Sequence, residues 1–366
     1  MKRKPVVLIL TSTDERGGAA GNLAAAIRAD GIHNVVVLDE RKYGAAPFLP
    51  GKRGREISFL LEKRRLDAAL AAAGLRGKRK GRARGRNRRI ANAVKRYAPE
   101  YVLTVTPYAQ AAFSEAKRKR GFEAKSVHCV ISFVLPAVNV AAYAADVYLV
   151  ENAEMKEALA AKGIPAGHIA VTGLPFDADE VTPIEREAGK QELGLPRTPT
   201  VFVNAEGRDA EEILGLVVDQ GDIVNVACFA DDVSLLGALR KRADEAETRS
   251  NVVIVTRKDM FDDYLKMSDI VVTRYEPSVI YRCFKAGKPV IAFGGGGAAE
   301  RDLAYLDSHK LVMRARSDID VVALIYKFMQ TDTASEYVEN GLDRTRMFSL
   351  GNTAGFLETR MGGDNG

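Results

Sequence analysis

The amino-acid sequence predicts an α/β protein of two doubly wound, Rossmann-like domains that face a cleft. Short runs of β-branched and other apolar residues alternate with longer helical patterns along all 366 residues, which is typical of parallel sheets covered by helices. A polar stretch with three prolines separates two such series. At 46% hydrophobic content the chain is long enough to bury two cores of ordinary size.

The first series begins with an apolar run at residues 6–11, which is too short for a signal peptide and is predicted to be a strand. The other strands of this series are predicted at residues 34–38, 101–106, 126–134, 147–150 and 169–172. Its helices are predicted at residues 18–30, 56–73, 87–97, 109–120 and 153–161. Because helical patterns connect most of the strands, the sheet is expected to be parallel.

The second series repeats this pattern. Its strands are predicted at residues 201–204, 223–228, 252–255, 270–273, 290–293 and 310–313. Its helices are predicted at residues 210–218, 231–246, 259–267, 278–286, 298–306 and 317–329. The domain limits are therefore 1–176 for the first domain, 177–199 for a proline-containing linker and 200–330 for the second domain. Residues 331–366 are predicted to form C-terminal helices that cross back to the first domain, with a frayed end.

Charge is divided unequally between the two halves of the chain. Residues 1–180 carry 31 Lys and Arg against 18 Asp and Glu, whereas residues 181–366 carry 23 against 30. Most of the positive excess lies in residues 76–96, where basic residues occur without an acidic one. Such a block favours an anionic partner, and each basic residue near an anionic bilayer contributes about 1 kcal/mol. The predicted membrane-binding residues are Arg76, Lys78, Arg79, Lys80, Arg82, Arg84, Arg86, Arg88 and Arg89.

Two other interpretations of this basic segment stay open, a solvated loop and a nucleic-acid-binding segment. No nucleic-acid partner is expected, because no aromatic residue interleaves the block before Tyr97 and single-strand binding normally uses such stacking platforms. No stretch reaches the roughly 18 apolar residues that a membrane-spanning helix needs. The protein is therefore expected to be cytoplasmic and peripheral on the inner face of the cell membrane.

The cysteines and histidines point to no metal or redox chemistry. Cys129, Cys228 and Cys283 are far apart in apolar stretches, which predicts buried reduced thiols. The four histidines are isolated, and none has a partner at ligand spacing. Neither a metal nor a cofactor is expected.

Three stretches of the sequence match motifs that occur together in a known family. The first is the opening strand and loop, where Gly17 and Gly18 lead into a helical pattern that contains Asn22. A glycine-rich turn that opens a helix brings backbone N–H groups and the positive end of the helix dipole close to a ligand. Gly17, Gly18 and Asn22 are therefore predicted to form an acceptor loop.

The second and most specific stretch runs from Val127 to Phe176. It contains Asp146-Val-Tyr-Leu-Val-Glu-Asn-Ala-Glu-Met-Lys-Glu-Ala-Leu, then Lys162-Gly-Ile-Pro and Ile169-Ala-Val-Thr-Gly-Leu-Pro-Phe-Asp. The third stretch begins at Ser268 and reads Ser-Asp-Ile-Val-Val-Thr-Arg-Tyr-Glu-Pro-Ser-Val-Ile-Tyr-Arg-Cys-Phe-Lys-Ala-Gly-Lys-Pro. Four consecutive glycines and then Glu-Arg-Asp follow it.

In this order and at this separation, the stretches resemble the monogalactosyldiacylglycerol synthases and the processive diacylglycerol glucosyltransferases. More distantly they resemble the lipid-linked N-acetylglucosaminyltransferase of peptidoglycan synthesis. The resemblance covers most of the chain and implies the GT-B fold, with an acceptor domain followed by a donor domain. It also implies that a hexose passes from a UDP-sugar to a lipid acceptor, with anionic membrane lipids as a further partner.

Several polar residues of the family's site are replaced in the first domain. The loop histidine that serves the family as a candidate base corresponds to Ala20, and the family's Thr-Asp-Phe is Ile131-Ser132-Phe133. Because a base must reach the proton that it removes, the remaining catalytic candidates are Asp14, Glu15 and Ser132. Asp14 and Glu15 are also typical of exposed loop charges.

The second domain departs from the family equally. The Gly-Gly pair that admits a diphosphate is Glu276-Pro277, and the glutamate that would hold the ribose is Arg282. Arginines and glycine N–H groups can bind anions instead, although a flexible turn with surface arginines is the alternative. The predicted donor-binding residues are Asn204, Gly207, Arg208, Arg274, Ser278, Arg282, Gly294, Gly295, Gly296, Gly297, Glu300 and Arg301.

The sequence is therefore compatible with three functions. The first is a UDP-sugar-dependent hexosyltransferase that acts on a lipid. The second is a catalytically degenerate homologue that binds anionic lipid or a protein partner. The third is a sugar-nucleotide epimerase on the same frame, which would need carboxylates at its site.

Overall fold

The structure is a computed structural model, and it describes most of the regular elements of the chain. The described residues are 4–11, 18–29, 31, 33–39, 90–136, 144–205, 207–219, 224–230, 233–245, 251–294, 298–330 and 332–346. The predicted helix at 56–73 and the nine predicted membrane-binding residues lie outside this set, as do Asp14, Glu15, Gly17 and Gly295 to Gly297.

The described part of the chain forms two compact units, one within residues 1–176 and one within residues 177–347. Each unit contains a six-stranded sheet in which every strand pair is parallel, with helices between the strands. The predicted α/β class with two Rossmann-like sheets is confirmed.

The first sheet has the strand order β2-β1-β3-β4-β5-β6. Its strands are β1 (Val6–Thr11), β2 (Asn34–Asp39), β3 (Tyr101–Thr104), β4 (Lys125–Cys129), β5 (Val147–Val150) and β6 (Ile169–Val171). Its described helices are α1 (Ala19–Ala29), α2 (90–97), α3 (Pro107–Arg120) and α4 (Ala153–Ala160). All four residues of β3 are buried, as expected for a central parallel strand covered on both faces.

Helix α3 shows why these helices begin and end where they do. The side chain of Thr106 accepts the N–H of Ala109 at 3.0 Å, and Pro107 occupies the first turn, where no N–H donor is needed. Gly121 ends the helix with φ of 67°, a left-handed conformation that glycine adopts without steric cost.

The second sheet has the strand order β12-β11-β10-β7-β8-β9. Its strands are β7 (Thr200–Asn204), β8 (Asn225–Phe229), β9 (Asn251–Val255), β10 (Ile270–Arg274), β11 (Val290–Phe293) and β12 (Met313–Arg314). Its helices are α5 (Pro183–Glu192), α6 (Arg208–Asp219), α7 (Val233–Glu245), α8 (Phe261–Met267), α9 (Pro277–Lys285), α10 (Ala298–Ser308), α11 (Asp318–Gln330) and α12 (Thr333–Arg346).

Several described elements differ from the sequence prediction by one or two residues at an end, and three differences are larger. The predicted linker contains helix α5, because Thr182 and Glu185 form a reciprocal capping box around Pro183. Strand β12 begins only at Met313, since Lys310 takes a left-handed conformation with φ of 52° after α10. Strand β4 ends at Cys129 rather than at residue 134.

Each sheet packs its own hydrophobic core. In the first unit Leu8, Leu10 and Val102 pack with the fully buried ring of Phe113. In the second unit α6, α11 and the central strands supply the core, and burial of each large side chain stabilises the fold by about 1.5–3 kcal/mol. None of the described helices combines the length and the apolar character needed to cross a membrane.

Helix α12 belongs to the second unit and packs against α9. Gly341 allows this close approach, because a Cβ at that position would lie 3.1 Å from Cδ1 of Phe284. The residues beyond 346, including the rest of the tail predicted to cross back, lie outside the described part of the chain.

Candidate functional site at the carboxyl edge of the second sheet

The strand order of the second sheet fixes where a ligand is expected to bind. From β7 the chain builds outward through β8 and β9, and then returns to place β10 on the opposite side of β7. The carboxyl ends of β7 and β10 therefore form a topological switch point, which is where open α/β sheets bind ligands.

Two polar side chains meet at this switch point. Nδ2 of Asn204, at the end of β7, donates a hydrogen bond of 3.0 Å to Oγ1 of Thr273 on β10. The Thr273 hydroxyl donates in turn to the backbone carbonyl of Arg274 at 2.9 Å. The hydrogen bond to Thr273 thus fixes the side-chain amide of Asn204 at the predicted ligand edge.

Arg274 is the last residue of β10, and its guanidinium lies over the backbone of Gly294. Gly294 has φ of 70°, and a Cβ there would come within 3.4 Å of Nε and Nη2 of Arg274. Nη1 of Arg274 pairs with Oδ2 of Asp209 on the first turn of α6, and both side chains are about two-fifths exposed, at 39% and 37%. Arg274 is therefore a partly exposed cation that is already engaged by a carboxylate.

Further carboxylates lie near this ion pair. Glu212 on α6 hydrogen-bonds with Asp318 on the first turn of α11, while Arg208 pairs with Glu212. Burial, and then the neighbouring Glu212 carboxylate, raises the pKa of Asp318 to about 6. The contact with Asp318, followed by the pairing with Arg208, lowers the pKa of Glu212, so Glu212 stays ionised while Asp318 takes up a proton as the pH falls through about 6.

The other predicted donor-binding residues are engaged elsewhere or exposed. Arg282 pairs with Asp262, and its guanidinium lies 5.3 Å from the ring centre of Phe261. Ser278 Oγ donates to Oε1 of Glu276 at 2.7 Å. Glu300 pairs with Arg314, whereas Arg208 and Arg301 are exposed and Gly207 lies in the turn before α6. The structure brings together Asn204, Arg274 and Gly294, whereas the side chain of Arg282, on α9, is held against Asp262 and Phe261 of α8.

The start of α9 lacks the usual features of an anion site. Pro277 is its first residue and has no N–H, and the preceding Glu276 makes no side-chain cap. A helix N-terminus binds anions through its free N–H groups, so this one offers fewer donors and an acidic neighbour.

In the first unit the predicted acceptor-loop residues Gly18 and Asn22 lie at the start of α1. Nδ2 of Asn22 donates to the backbone carbonyl of Pro175 at 2.9 Å, which fastens α1 to the loop after β6. Ser132, the described catalytic candidate, is only 8% exposed.

Glu151 is a buried carboxylate at the carboxyl edge of the first sheet that the sequence analysis did not single out. It follows β5 directly and is fully buried, and it accepts a hydrogen bond of 2.7 Å from Nδ2 of Asn152. Nδ2 of Asn152 also donates to the carbonyl of Phe133, while its Oδ1 caps α4. Asn152 therefore holds the turn that contains Ser132 beside a buried carboxylate. The signal in the sequence was an acidic residue immediately after an apolar strand.

Burial keeps the imidazole of His128 and the three cysteine thiols neutral. Nδ1 of His128 lies 2.9 Å from Oγ1 of Thr104, its Nε2 has no partner, and burial lowers its pKa to about 4. Cys129, Cys228 and Cys283 are free and buried as predicted, and burial raises the pKa of each thiol to about 12. No cluster of metal-ligating side chains occurs among the described residues.

Comparison with known proteins gives matches in structure only. No protein-family model matches the sequence, and no curated protein matches it. MurG of Acinetobacter baumannii matches with a TM-score of 0.64 at 12% identity, over 97% of this chain and 98% of its own. Anabaena Alr3699/HepE, solved with UDP and glucose, matches with a TM-score of 0.58 at 16% identity, over 98% of this chain and 100% of its own.

An epimerase matches equally well. UDP-GlcNAc 2-epimerase from Neisseria meningitidis, bound to UDP-GlcNAc, has a TM-score of 0.60 at 10% identity, over 98% of this chain and 99% of its own. Likeness at this identity establishes the fold. The chain therefore has the GT-B fold of two Rossmann-like domains, which glycosyltransferases share with UDP-N-acetylglucosamine 2-epimerases.

Proposed function

We propose that the protein is a UDP-sugar-dependent hexosyltransferase that acts on a lipid acceptor at the cytoplasmic surface of the membrane. The observation that carries the donor half is the polar group at the switch point of the second sheet, where Asn204 and Arg274 end adjacent strands. Solved relatives of the same fold, described as bound to UDP or a UDP-sugar, support this choice.

Arg274 is the proposed contact for the diphosphate. Its planar guanidinium offers paired donors that match phosphate oxygens, and the absence of a side chain at Gly294 lets this guanidinium lie close to the backbone. The start of α9 offers few N–H donors, so the arginine takes over the role that a glycine pair has in the resembled family. Asn204 is the proposed polar contact beside it.

The lipid half of the proposal rests on the basic segment of residues 76–89. This segment carries positive charge without a compensating acid, and anionic bilayers attract such segments at about 1 kcal/mol per basic residue. Asp14 and Glu15 are the proposed bases for the acceptor hydroxyl, because Ser132 is buried and lacks the exposure that a base needs.

A titration with nucleotides tests the donor half. UDP, UDP-glucose and UDP-galactose should each raise the melting temperature, and one UDP-hexose should be hydrolysed or transferred to diacylglycerol in mixed vesicles. No thermal shift with UDP, together with no turnover across a panel of UDP-sugars, would refute the transferase.

Vesicle binding tests the membrane half separately. Charge reversal of Arg82, Arg84, Arg86, Arg88 and Arg89 to Glu should abolish sedimentation with anionic liposomes at low salt. A matched control reverses five exposed basic residues elsewhere: Lys162, Arg197, Arg240, Lys241 and Arg316. Equal loss in both variants would mean that net charge alone, and no particular surface, drives binding.

Epimerisation of a UDP-sugar is the second proposed function, favoured by the carboxyl pair of Glu212 and Asp318. Asp318 lies in the first turn of α11 and Glu212 lies in the second turn of α6, and both helices follow strand ends of the second sheet. Epimerisation needs acid and base groups, and a pair in which Asp318 has a pKa of about 6 beside an ionised Glu212 supplies both forms near pH 6. Inversion at C2 of UDP-N-acetylglucosamine, followed by NMR, would favour this function over transfer.

A further inference from the structure

The carboxylate of Asp209 already binds Nη1 of Arg274, one of the nitrogens that a ligand anion would use. We propose that Asp209 competes with the diphosphate for Arg274 and thereby sets the affinity of this site for nucleotides. This inference rests on the proposed function, and it assigns to Asp209 a role opposite to that of a ligand contact.

The first argument is the geometry of the contact. The guanidinium of Arg274 lies close to Gly294 on one side, and Asp209 binds its Nη1. An anion that accepts two parallel hydrogen bonds from an arginine needs two outward-facing nitrogens of the guanidinium. Asp209 uses one of them, so a phosphate gains both only after this carboxylate moves.

The second argument is that Asp209 can be displaced at small cost. Both side chains are more than one-third exposed, and exposed ion pairs contribute about 0–1 kcal/mol. Asp209 also lies on the first turn of α6, where the helix dipole stabilises a carboxylate without Arg274. The contact is therefore closed in the unbound protein and can open when a more highly charged anion arrives.

The third argument is that the displaced carboxylate stays nearby. Asp209 would remain within a few ångströms of the bound phosphate and would repel it, together with the carboxyl pair of Glu212 and Asp318. Removal of this single charge should therefore tighten the binding of every phosphate ligand, whereas it should leave the binding of an uncharged nucleoside unchanged.

Calorimetric titration of the full-length protein with UDP and uridine tests the proposal. Asp209→Asn should bind UDP about threefold to tenfold more tightly than the wild type, with uridine unaffected. Arg274→Gln should bind UDP more weakly, and on that background Asp209→Asn should have less than half of its effect. Thermal unfolding of each variant verifies that it is folded.

Two controls separate the proposal from a general charge effect. Asp219→Asn breaks a similar ion pair with Arg242 at the other end of the same helix, and Asp262→Asn frees Arg282 instead of Arg274. Neither change should alter UDP binding. An equal gain in either control, or unchanged or weaker UDP binding in Asp209→Asn, would overturn the role of Asp209.

Inorganic pyrophosphate distinguishes failure of this inference from failure of the proposed function. If UDP binds neither wild type nor Asp209→Asn, the proposed nucleotide site is wrong, but pyrophosphate should still bind Asp209→Asn more tightly than the wild type. If pyrophosphate also shows no difference between them, the competition between Asp209 and an anion does not exist.

Discussion

The ammonium nitrogen of Lys190 lies 2.7 Å from Oδ2 of Asp269, and the lysine side chain is only 2% exposed. The same carboxylate oxygen accepts the N–H of Thr200 at 2.7 Å. This contact joins α5 to the amino ends of β7 and β10. It explains why the segment after Phe176 is an ordered helix of the second unit.

Lys190→Met should destabilise the second unit by about 3 kcal/mol, because it removes one partner of a buried ion pair and leaves a carboxylate partly unpaired. Arg186, with Nε 3.1 Å from Oδ1 of Asp269, retains part of the compensation. Urea denaturation monitored by circular dichroism measures the change. The control is Lys241→Met, since Lys241 is 76% exposed beside Glu245. If both variants unfold at the same urea concentration, the buried ion pair contributes no more to the free energy of unfolding than the exposed pair does.

Lys288→Met should stabilise the protein. Lys288 is 2% exposed, its Nζ has no hydrogen-bond partner, and burial followed by the charge of Arg186 lowers its pKa to about 8. At pH 7 the wild type therefore buries an unpaired ammonium, and its replacement should raise the free energy of unfolding by about 2–3 kcal/mol.

The pH dependence gives this prediction a definite sign. A lysine with a lowered pKa in the folded state destabilises it below that pKa, and the wild type regains stability as pH rises from about 8 toward the unfolded value of 10.5. The advantage of Lys288→Met should thus shrink between pH 7 and pH 9 by about 1 kcal/mol. A constant difference across this range would contradict the assigned charge state.

His128 should make the first unit sensitive to acid. Its pKa falls from 6.5 to about 4 on burial, so its contribution to stability is complete above pH 6.5 and is lost as pH falls through 4. His128→Asn keeps a polar group facing Thr104 and removes the titration. Relative to this variant, the wild type should lose about 2–3 kcal/mol between pH 7 and pH 4. Parallel stability curves for the two proteins would show that His128 is not the titrating group.

The strands follow from the sequence because buried parallel strands are short apolar runs, and the runs at β1, β5 and β11 match the structure in both bounds or nearly so. The capping box around Pro183 was equally readable, since Thr182 and Glu185 have the required spacing. The proline content of that segment favoured a linker instead. The prolines are compatible with the helix, because Pro183 occupies its first turn and Pro196 and Pro199 follow its end.

The candidate site depends on contacts that no local pattern contains. Asp209 and Arg274 are 65 residues apart, and Asn204 and Thr273 are 69 apart. The sequence placed Asn204 and Arg274 at strand ends and so at the ligand edge. It gave no indication that Arg274 is paired, because partner choice between exposed charges depends on the strand order, which adjoins β7 to β10.

Two asparagines at opposite edges of the second sheet should separate binding from folding. Asn204 lies at the carboxyl end of β7 and makes one described hydrogen bond, to Thr273. Nδ2 of Asn225, at the amino end of β8, donates to the carbonyls of Pro196 and Thr198 and to Oγ1 of Thr200, at 2.9, 3.1 and 3.1 Å. Asn204 is therefore available to contact a ligand. Asn225 instead donates hydrogen bonds to the segment that leads into β7.

Asn204→Ala should weaken UDP binding about tenfold, the effect of one lost hydrogen bond to a ligand, and should change the free energy of unfolding by less than about 1 kcal/mol. Asn225→Ala should do the reverse, with a loss of about 2–3 kcal/mol in stability, because one buried and two partly buried acceptors lose their donor, and with unchanged UDP affinity in the folded protein. Titration calorimetry and urea denaturation on both variants measure the two quantities. If Asn225→Ala also loses UDP affinity at a temperature where it is folded, ligand binding is not confined to the carboxyl edge. The proposal that the switch point is the donor site would then be wrong.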